Sequence, residues 1–265
     1  MRVYIINMDS ATDRWSFVQS HFANTGLPVT RVSGVVGKNI QLPIPEYDET
    51  RLRRWHGQTT NMGAIGCYLS HINCMRAFLA TEDETAMIAE DDGRPVPELK
   101  SIVDAALKYQ DCWDILRLCG FHDPHPVEYA NLGGEYRLAT CFTRLCGTGA
   151  YVLTRHAAQV LLEKLMPMCL PIDHALDREW VYGLRASAVM PLPISQVDHG
   201  FGSQIAGRVN HKLPWYQRYW TVFPYRFQNE FNRLVQRRKQ LVSARELVCQ
   251  IDQRTSKVGD SRIAA

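Results

Sequence analysis

The sequence predicts an α/β domain in which helices cover a mostly parallel central sheet. Short apolar segments typical of buried strands alternate along the chain with longer segments of helical period. This alternation is typical of layered, Rossmann-type domains, and 265 residues suffice for a full hydrophobic core. After about residue 210 the composition becomes aromatic and basic, so we expect a C-terminal helical extension there.

The first part of the chain supplies two strands and one helix. Residues 3–6 form a short apolar run, residues 13–22 have the pattern of a helix, and we expect a second strand over residues 29–32 that ends at the turn Ser33-Gly34. Residues 38–62 contain Pro43 and Pro45 and show no period, so we expect a long irregular loop. Loops of this length in compact domains are more often functional than idle.

The middle of the chain continues the alternation. We expect helices over residues 63–79 and 97–109, and strands over residues 86–89 and 113–118. A further strand over residues 149–154 ends at Thr154, which is placed to cap a helix that runs to Leu165. In such sheets ligands bind beyond the carboxyl ends of the strands.

Composition and charge limit the class of protein. A formal net charge of +3 is too small to indicate nucleic-acid binding by itself. Residues 1–7 lack the apolar core of a signal peptide, and no run approaches the roughly 18–20 apolar residues of a membrane span. We therefore expect a cytoplasmic protein, peripheral to the inner membrane at most, whose eight cysteines are reduced thiols.

Three consecutive carboxylates follow the strand over residues 86–89. Glu90, Asp91 and Asp92 repel one another at the end of a buried strand unless a positive charge compensates them. Mg²⁺ and Mn²⁺ prefer carboxylate oxygens as ligands, so a divalent cation that also carries phosphate oxygens is one compensator. A solvated acidic turn is the other interpretation.

A second group of metal-ligating residue types lies on the helix over residues 63–79. Cys67, His71 and Cys74 are spaced i, i+4 and i+7, which places them on one helical face. No fourth ligand is evident and no C-x-x-C pair occurs, so small cysteines packed on the buried face explain the pattern better than a metal does.

The segment from residue 211 to 265 differs from the rest of the chain. Six aromatic residues lie between positions 211 and 225, and a basic helix with apolar residues every seven positions follows. A basic amphipathic helix beside aromatic residues is typical of a membrane-surface element. Packing on the domain or on a second copy of the chain is the alternative. We divide the chain into a domain of residues 1–210 and an extension of residues 211–265.

Six segments in order resemble glycosyltransferase family 25, the lipooligosaccharide-biosynthesis galactosyltransferases that also include collagen galactosyltransferase domains. These are residues 3–9 with Asp13 and Arg14, residues 63–71, 88–92, 113–116, 149–154 and 171–174. Each is weak alone, but their order and spacing are similar to the family over roughly residues 1–200. The family commonly has leucine at the position of Ala89 and an apolar residue at that of Gly93.

The resemblance implies a GT-A-like fold, a nucleotide-sugar donor (most often UDP-galactose), and transfer with inversion to a sugar of a lipopolysaccharide or lipooligosaccharide core. It implies Mn²⁺ or Mg²⁺ held by Asp92 with Glu90 or Asp91, with His199 as a later ligand or a turn cap. Inversion needs a base that deprotonates the acceptor hydroxyl. Asp173 is the candidate, with Asp177 as the fallback, and an N-cap is the structural alternative for Asp173.

Further residues are assigned on the same basis. The residues expected to meet the donor are Asn7, Asp9, Arg14, Ser70, His71 and Asp91. An ion pair for Arg14 and a buried structural role for His71 are the alternatives. The basic loop residues Arg51, Arg53 and Arg54 are expected to contact phosphates of the acceptor, unless they are merely solvated.

Two other classes compete with a transferase. Clustered carboxylates also hold metals in phosphohydrolases, although no H-x-H or D-x-D-x-T-like arrangement accompanies these acids. A sugar-binding protein with a degenerate site is the third class, and the intact acids argue only mildly against it. Homo-oligomerisation through the heptad-like tail is a further expectation.

Overall fold

The fold is an α/β structure with one large sheet, seen in a computed structural model that describes residues 1–122, 124–196 and 212–263, with side chains to residue 254. The elements, in chain order, are β1 Arg2–Asn7, α1 Thr12–Ala23, β2 Val29–Ser33, α2 Glu49–Trp55, α3 Met62–Leu79, β3 Thr85–Glu90, β4 Gly93–Pro95, α4 Leu99–Leu107, β5 Ile115–Arg117, β6 Pro126–Gly133, β7 Tyr136–Cys141, β8 Ala150–Thr154, α5 Arg155–Lys164, α6 Ile172–Leu176, β9 Ala186–Met190, β10 Ile194–Gln196, α7 Trp215–Tyr219 and α8 Val222–Ile263.

The central sheet has eight strands in the order β2-β1-β3-β8-β5-β9-β7-β6. Strands β2, β1 and β3 pair in parallel, as do β5 and β9, while β8 and β7 pair antiparallel with both of their neighbours. Only β8 and β7 therefore run against the common direction, and the predicted mostly parallel α/β sheet is confirmed. Strands β4 and β10 form a separate two-stranded sheet next to the end of β3.

Hydrophobic clusters cover the sheet on both faces, which explains the continuous apolar run of β3. Met87 and Ala89 belong to the cluster under α1 and α4, whereas Ala86 and Ile88 belong to the cluster under α3 and α5. Because alternate residues of a strand point to opposite faces, both faces of β3 are buried and its polar residues are confined to its end.

Helix α3 begins at the cap residue Asn61, whose side chain accepts a hydrogen bond from the Ala64 amide at 3.2 Å. It lies unusually close to the loop after β2. A Cβ atom on Gly66 would be 2.5 Å from the Val35 carbonyl oxygen, so only glycine permits this approach. The glycine-rich start of the segment over residues 63–71 therefore has a packing reason.

Two regions differ from the sequence prediction. Residues 38–62 are not wholly irregular, because α2 forms within them and Asp48 caps it by accepting from the Arg51 amide at 2.9 Å. The β6–β7 hairpin was not predicted, and it turns at Gly133 and Gly134, both with positive φ. Strand β6 lies at the edge of the sheet and only its residue Ala130 is buried, so it lacks the continuous apolar run of a central strand.

The first half of α8 packs on the domain through arginines as well as apolar residues. Arg233 and Arg237 are buried, and Arg237 pairs with the fully buried Glu179 at 2.9 Å. Packing on the domain, the alternative to a membrane-surface helix, is therefore observed for these two arginines. Leu241, Ala244 and Val248 are also buried, whereas Leu234, Val235 and Val242 are exposed.

Among the described helices, none combines the length and the apolar character needed to cross a bilayer.

Candidate active site

The acidic segment lies where β1 and β3 end side by side, as the sequence predicts for parallel strands. Asp91 is buried there, and its negative charge is balanced by neighbouring side chains. Arg14 approaches its carboxylate at 2.6 Å, and the Asn7 side-chain amide donates to it at 2.7 Å. Burial nevertheless raises the pKa of Asp91 above its usual value. Asp91 and Arg14 thus hold the loop after β3 against α1, and the ion-pair alternative for Arg14 is the observed one.

Asn7 and Asp9 are tied to strand β2. The Asn7 side chain also donates to the Ala11 carbonyl at 3.1 Å and accepts from Arg31 Nε at 2.8 Å. Asp9 accepts from Arg31 and from the Ser33 hydroxyl, each at 2.9 Å, while its side chain stays 72% exposed. Of these two predicted donor-binding residues, Asp9 alone presents its side chain to solvent.

Glu90 points toward α3 and β8. It accepts from the Thr148 hydroxyl at 2.7 Å, and its Oε1 lies 3.6 Å from His71 Nε2. Burial by itself raises the pKa of Glu90, but His71 and Thr148 outweigh burial, so the pKa is held below its usual value. Glu90 is therefore ionised within a fixed polar cluster.

Ser70 and His71 lie inside the protein. Ser70 donates to the Gly66 carbonyl at 2.7 Å and accepts from the Val35 amide at 2.8 Å. His71 is fully buried, with Nδ1 2.9 Å from the Tyr151 hydroxyl, whereas its Nε2 has no hydrogen-bond partner. Both side chains are buried on α3 beneath the surface of the site, so neither is accessible to a donor in this conformation.

Of the three acids over residues 90–92, Asp92 has the weakest contacts to groups that would balance its negative charge. Its contacts are two long hydrogen bonds from the Gln196 amide, both 3.3 Å, and Arg14 at 3.9 Å. Burial, followed by the charge of Glu90, raises the pKa of Asp92 to about 6. A partly buried carboxylate in this state, next to a second carboxylate, is a donor set that fits a hard divalent cation.

The described residues contain two groups of three potential metal ligands whose atoms lie within 4.8 Å of one another. These groups are Cys67, His71 and Glu90, and Cys146, Asp173 and His174. Neither contains Asp92, and His199 lies outside the described residues. Cys74 is buried in the core and does not join Cys67 and His71, so the packing interpretation holds for it.

The loop that leads into β8 connects the acids with the candidate base. Thr148 in this loop bonds Glu90, and two residues earlier Cys146 lies beside Asp173 and His174. The Arg117 guanidinium donates to the carbonyls of Cys146 and Gly147 and so fixes the loop from β5. One rigid segment therefore sets the relative positions of both halves of the site.

Asp173 lies in the first turn of α6 and is half-buried. Pro171 occupies the N-cap position and no side-chain cap bond forms, so the N-cap alternative for Asp173 was wrong. Among the described residues, no hydrogen bond or ion pair engages the Asp173 carboxylate within the usual distances. A carboxylate with free lone pairs can accept a proton from a hydroxyl group.

Asp177 has a different environment. It is buried, pairs with Arg117 at 3.0 Å and accepts from the Cys146 amide at 2.9 Å. Burial alone raises its pKa, but Arg117 and Arg233 outweigh burial and hold the pKa of Asp177 below its usual value. The carboxylate of Asp177, the fallback base, is thus occupied by an internal ion pair, so we propose no role as a base for it.

Replacing Asp177 by Asn is expected to cost about 3 kcal/mol of unfolding free energy at pH 7, because Arg117 loses its buried countercharge. The depressed folded-state pKa means that this stabilisation is complete above the ordinary carboxylate pKa and is lost as pH falls through the folded value. Urea unfolding should therefore show a constant deficit from about pH 8 to 5 that shrinks below about pH 4. The exposed control Asp104→Asn should change stability by less than about 0.5 kcal/mol, and an equal loss in both variants would contradict this account.

The three arginines predicted to meet the acceptor lie on α2 and are exposed. Arg51 pairs with Asp48 at 3.2 Å and Arg53 with Glu49 at 3.5 Å, both pairs being local to the helix. Arg54 has an exposed side chain on the same helix. They form a solvated basic face, and no described contact links them to Asp92 or Asp173.

Sequence reasoning missed three side chains of the site: Thr148, Gln196 and Arg117. Thr148 and Gln196 contact Glu90 and Asp92 from segments that flank strands, and Arg117 is a charged residue at the end of the buried strand β5. The position of Arg117 was the one signal available, because a buried charge at a strand end requires a partner.

Comparisons with known proteins identify the family of this chain. The model of glycosyltransferase family 25 (LPS biosynthesis protein) matches residues 1–176. The matched region contains β1, the acids after β3 and Asp173. The chain belongs to glycosyltransferase family 25.

Relatives with this family name occur in insects. A glycosyltransferase 25 family member of Anopheles gambiae is 26% identical over 187 residues, which cover 66% of this chain and 31% of the relative. One of Aedes aegypti is 24% identical over 185 residues, covering 64% and 29%. The chain thus matches about a third of the length of these relatives.

Solved structures similar to the chain include A197 from STIV, with a TM-score of 0.38 and 14% identity over 71% of this chain and 81% of that one. Another is the inositol-1-phosphate CTP transferase from T. maritima, with a TM-score of 0.34 and 10% identity over 75% and 89%.

Proposed function

We propose that this protein transfers a sugar, galactose from UDP-galactose, with inversion to a sugar of a lipopolysaccharide or lipooligosaccharide core. The observation that carries the proposal is the state of Asp92. Among the described residues, its nearest cation is Arg14 at 3.9 Å, whereas the same arginine lies 2.6 Å from Asp91, and Glu90 accepts a hydrogen bond from the Thr148 hydroxyl. Family membership supports the reaction class, and the sugar and acceptor rest on the resemblance.

Asp92 and Glu90 are the proposed holders of Mn²⁺ or Mg²⁺, with His199 as a third ligand. When bound, such a cation neutralises the charge that develops on the departing diphosphate. The protein's own contribution is to fix the two carboxylates: Gln196 holds Asp92, and Thr148 and His71 hold Glu90. Asp9, with its exposed side chain, is the proposed contact to the nucleotide.

Asp173 is the proposed base. Among the described residues, no hydrogen bond or ion pair engages the carboxylate of this half-buried residue, so it can accept the proton of the acceptor hydroxyl as that oxygen attacks the sugar. Direct displacement inverts the configuration, because the acceptor attacks the face opposite the leaving group. Arg117 and the loop of residues 146–148 keep Asp173 at a fixed distance from the acids.

Donor hydrolysis tests the proposal and separates it from its alternatives. The protein is incubated with UDP-galactose, UDP-glucose and UDP-N-acetylglucosamine, each with Mn²⁺ and with EDTA, and free UDP is measured. We expect slow, metal-dependent release of UDP from one donor. Release of phosphate from a simple phosphoester would favour the phosphohydrolase, and no reaction with any substrate would favour a binding protein.

We also propose that the extension of residues 211–265 binds an anionic membrane surface. Its aromatic patch, defined as Trp215, Tyr216, Tyr219, Trp220, Phe223, Phe227 and Phe231, is exposed. Trp220 and Phe227 are 79% and 78% exposed, which is unusual for a contiguous apolar surface. Exposed basic residues continue along the same helix at Arg238, Lys239 and Arg245, the combination that binds interfaces of anionic lipid.

Replacing Trp220 and Phe227 together by Ser should weaken binding to vesicles of phosphatidylcholine and phosphatidylglycerol at least about tenfold, because two exposed aromatic side chains are lost from the interface. Sedimentation with vesicles measures the binding. Val181→Ser, at another exposed apolar residue, is the matched control and should bind like the wild type. Unchanged binding of the double variant would contradict the proposal, and loss of a dimer instead would assign the patch to self-association.

A further inference from the structure

A cationic cavity lies between α2, α6 and the start of α8, outside the cluster of acids. Its enclosed volume is small, about 20 Å³, which is room for one water-sized group such as an oxygen of an anion. The residues that line it are Trp55, His56, Arg144, Leu170, His174, Asp177, Arg178, Tyr225, Arg226, Asn229 and Arg233. Four of these are arginines, and the only carboxylate among them, Asp177, is already paired with Arg117.

The arginines of the cavity outnumber their countercharges. Glu230 is shared, because both Arg144 and Arg233 donate to it, at 2.7 and 3.0 Å. Arg178 donates to the neutral amide of Asn229 at 2.7 Å, and Arg226 makes one long contact to the His56 carbonyl at 3.4 Å. Within the described ranges, neither Arg178 nor Arg226 has a carboxylate within 4.0 Å. At least two guanidinium groups therefore lack an anionic partner.

The surroundings respond to this excess of positive charge. Burial, followed by the charges of His174 and Arg226, lowers the pKa of His56 to about 3. Burial and the neighbouring Arg144 and Arg218 also lower the pKa of Arg226 itself. An anion in the cavity would offset the part of both shifts that the positive neighbours cause, and planar guanidinium groups bind phosphate and carboxylate oxygens well.

The cavity also offers a neutral donor and a rigid wall. The Tyr225 hydroxyl is buried and, among the described residues, has no hydrogen-bond partner. Its ring stacks on Trp55 with centroids 5.3 Å apart, and Arg178 lies over both rings. A hydroxyl donor beside unpaired guanidinium groups suits an oxyanion more than a neutral sugar.

The position of the cavity relates it to the candidate base. His174 lines the cavity. Its chain neighbour Asp173 is not among the lining residues, but a carboxylate oxygen of Asp173 lies within 4.8 Å of a ring nitrogen of His174. We propose that the cavity is an acceptor subsite that binds an oxyanion, phosphate or carboxylate, carried by the sugar next to the reacting hydroxyl. This inference rests on the proposed function, since it makes the substrate of Asp173 an acidic glycan.

Calorimetric titration tests the subsite without any transfer reaction. The probes are inorganic phosphate and galacturonate, with galactose as the neutral comparison, and each is titrated in the presence of saturating UDP and Mg²⁺. We expect both anions to bind the wild-type protein and galactose not to bind. Arg226→Gln should weaken anion binding at least about tenfold, because a charge-assisted hydrogen bond is lost. Arg226→Lys should retain part of it.

Arg76→Gln is the matched control, because it removes the same charge from an exposed position on α3. It should bind the anions like the wild type, and melting temperatures establish that all variants are folded. Absence of anion binding to the wild type, or equal weakening in Arg226→Gln and Arg76→Gln, would each overturn the proposal. UDP release from UDP-galactose, measured separately, reports on the transferase proposal alone, so the two can fail independently.

Discussion

Replacing Asp92 by Asn is expected to lower sugar transfer by at least about 10³-fold, the effect of losing a charged group that holds the catalytic cation. Asp92 is the acid with the least internal compensation, so its charge is available to a cation in a way that the charge of Asp91 is not. The fold should survive, because burial and Glu90 already disfavour the charged form of Asp92 and raise its pKa to about 6.

UDP release from UDP-galactose at several Mn²⁺ concentrations measures the effect, and a melting curve in EDTA measures stability. Asp104→Asn, at an exposed position on α4, is the control and should have wild-type activity. Wild-type turnover in Asp92→Asn would remove the metal assignment. Loss of both activity and the cooperative melting transition in Asp92→Asn would contradict the claim that Asp92 serves the site and is not needed for folding.

Replacing Asp173 by Asn should reduce kcat by about 10²- to 10⁴-fold, the usual contribution of a general base, with little change in donor KM. An amide retains the size of the side chain but cannot take the acceptor proton. Because no internal contact of a described residue engages the Asp173 carboxylate, the melting temperature should stay close to that of the wild type.

Steady-state kinetics and melting curves on Asp173→Asn and Asp177→Asn separate the two roles. The first variant should lose turnover and keep stability, whereas the second should lose stability through Arg117. Glu163→Gln, exposed on α5, controls for a general loss of negative charge. The reverse result, with turnover lost in Asp177→Asn and retained in Asp173→Asn, would exchange the assignments.

Much of the fold follows from local sequence pattern. Strands β1, β3 and β8 contain continuous apolar runs, and the helix after β8 has its cap where Thr154 predicts it, with the Thr154 hydroxyl accepting from the Ala157 amide at 3.1 Å. Strand direction is not a local property. Because β8 runs antiparallel to β3, the start of β8 lies at the same edge as the acids, and this brings Thr148 to Glu90.

The sequence singles out three carboxylates after a buried strand as candidate site residues, whereas the partner of each depends on tertiary structure. Asp91 pairs with Arg14, Glu90 lies beside His71, and Asp92 meets Gln196. The roles of Ser70 and His71 were expected to involve the donor, but burial on α3 places them behind the site.

The basic tail illustrates the limit of charge patterns. The sequence of α8 shows where its arginines lie but does not show which of them pair with acidic residues of the domain. Arg233 and Arg237 are buried against Glu230 and Glu179, while Arg238 on the same helix is exposed. Only the partner surface, which includes Trp180 under both buried guanidinium groups, determines this difference.

The most direct test of the central claim is the thermal stability of the protein with a panel of nucleotide sugars, each with and without Mn²⁺. A ligand that binds only the native state raises the melting temperature in proportion to its affinity. We expect a shift that requires both UDP-galactose and Mn²⁺ and that is absent in Asp92→Asn. A shift of equal size without metal, or in Asp92→Asn, would contradict a cation-dependent donor site at the end of β3.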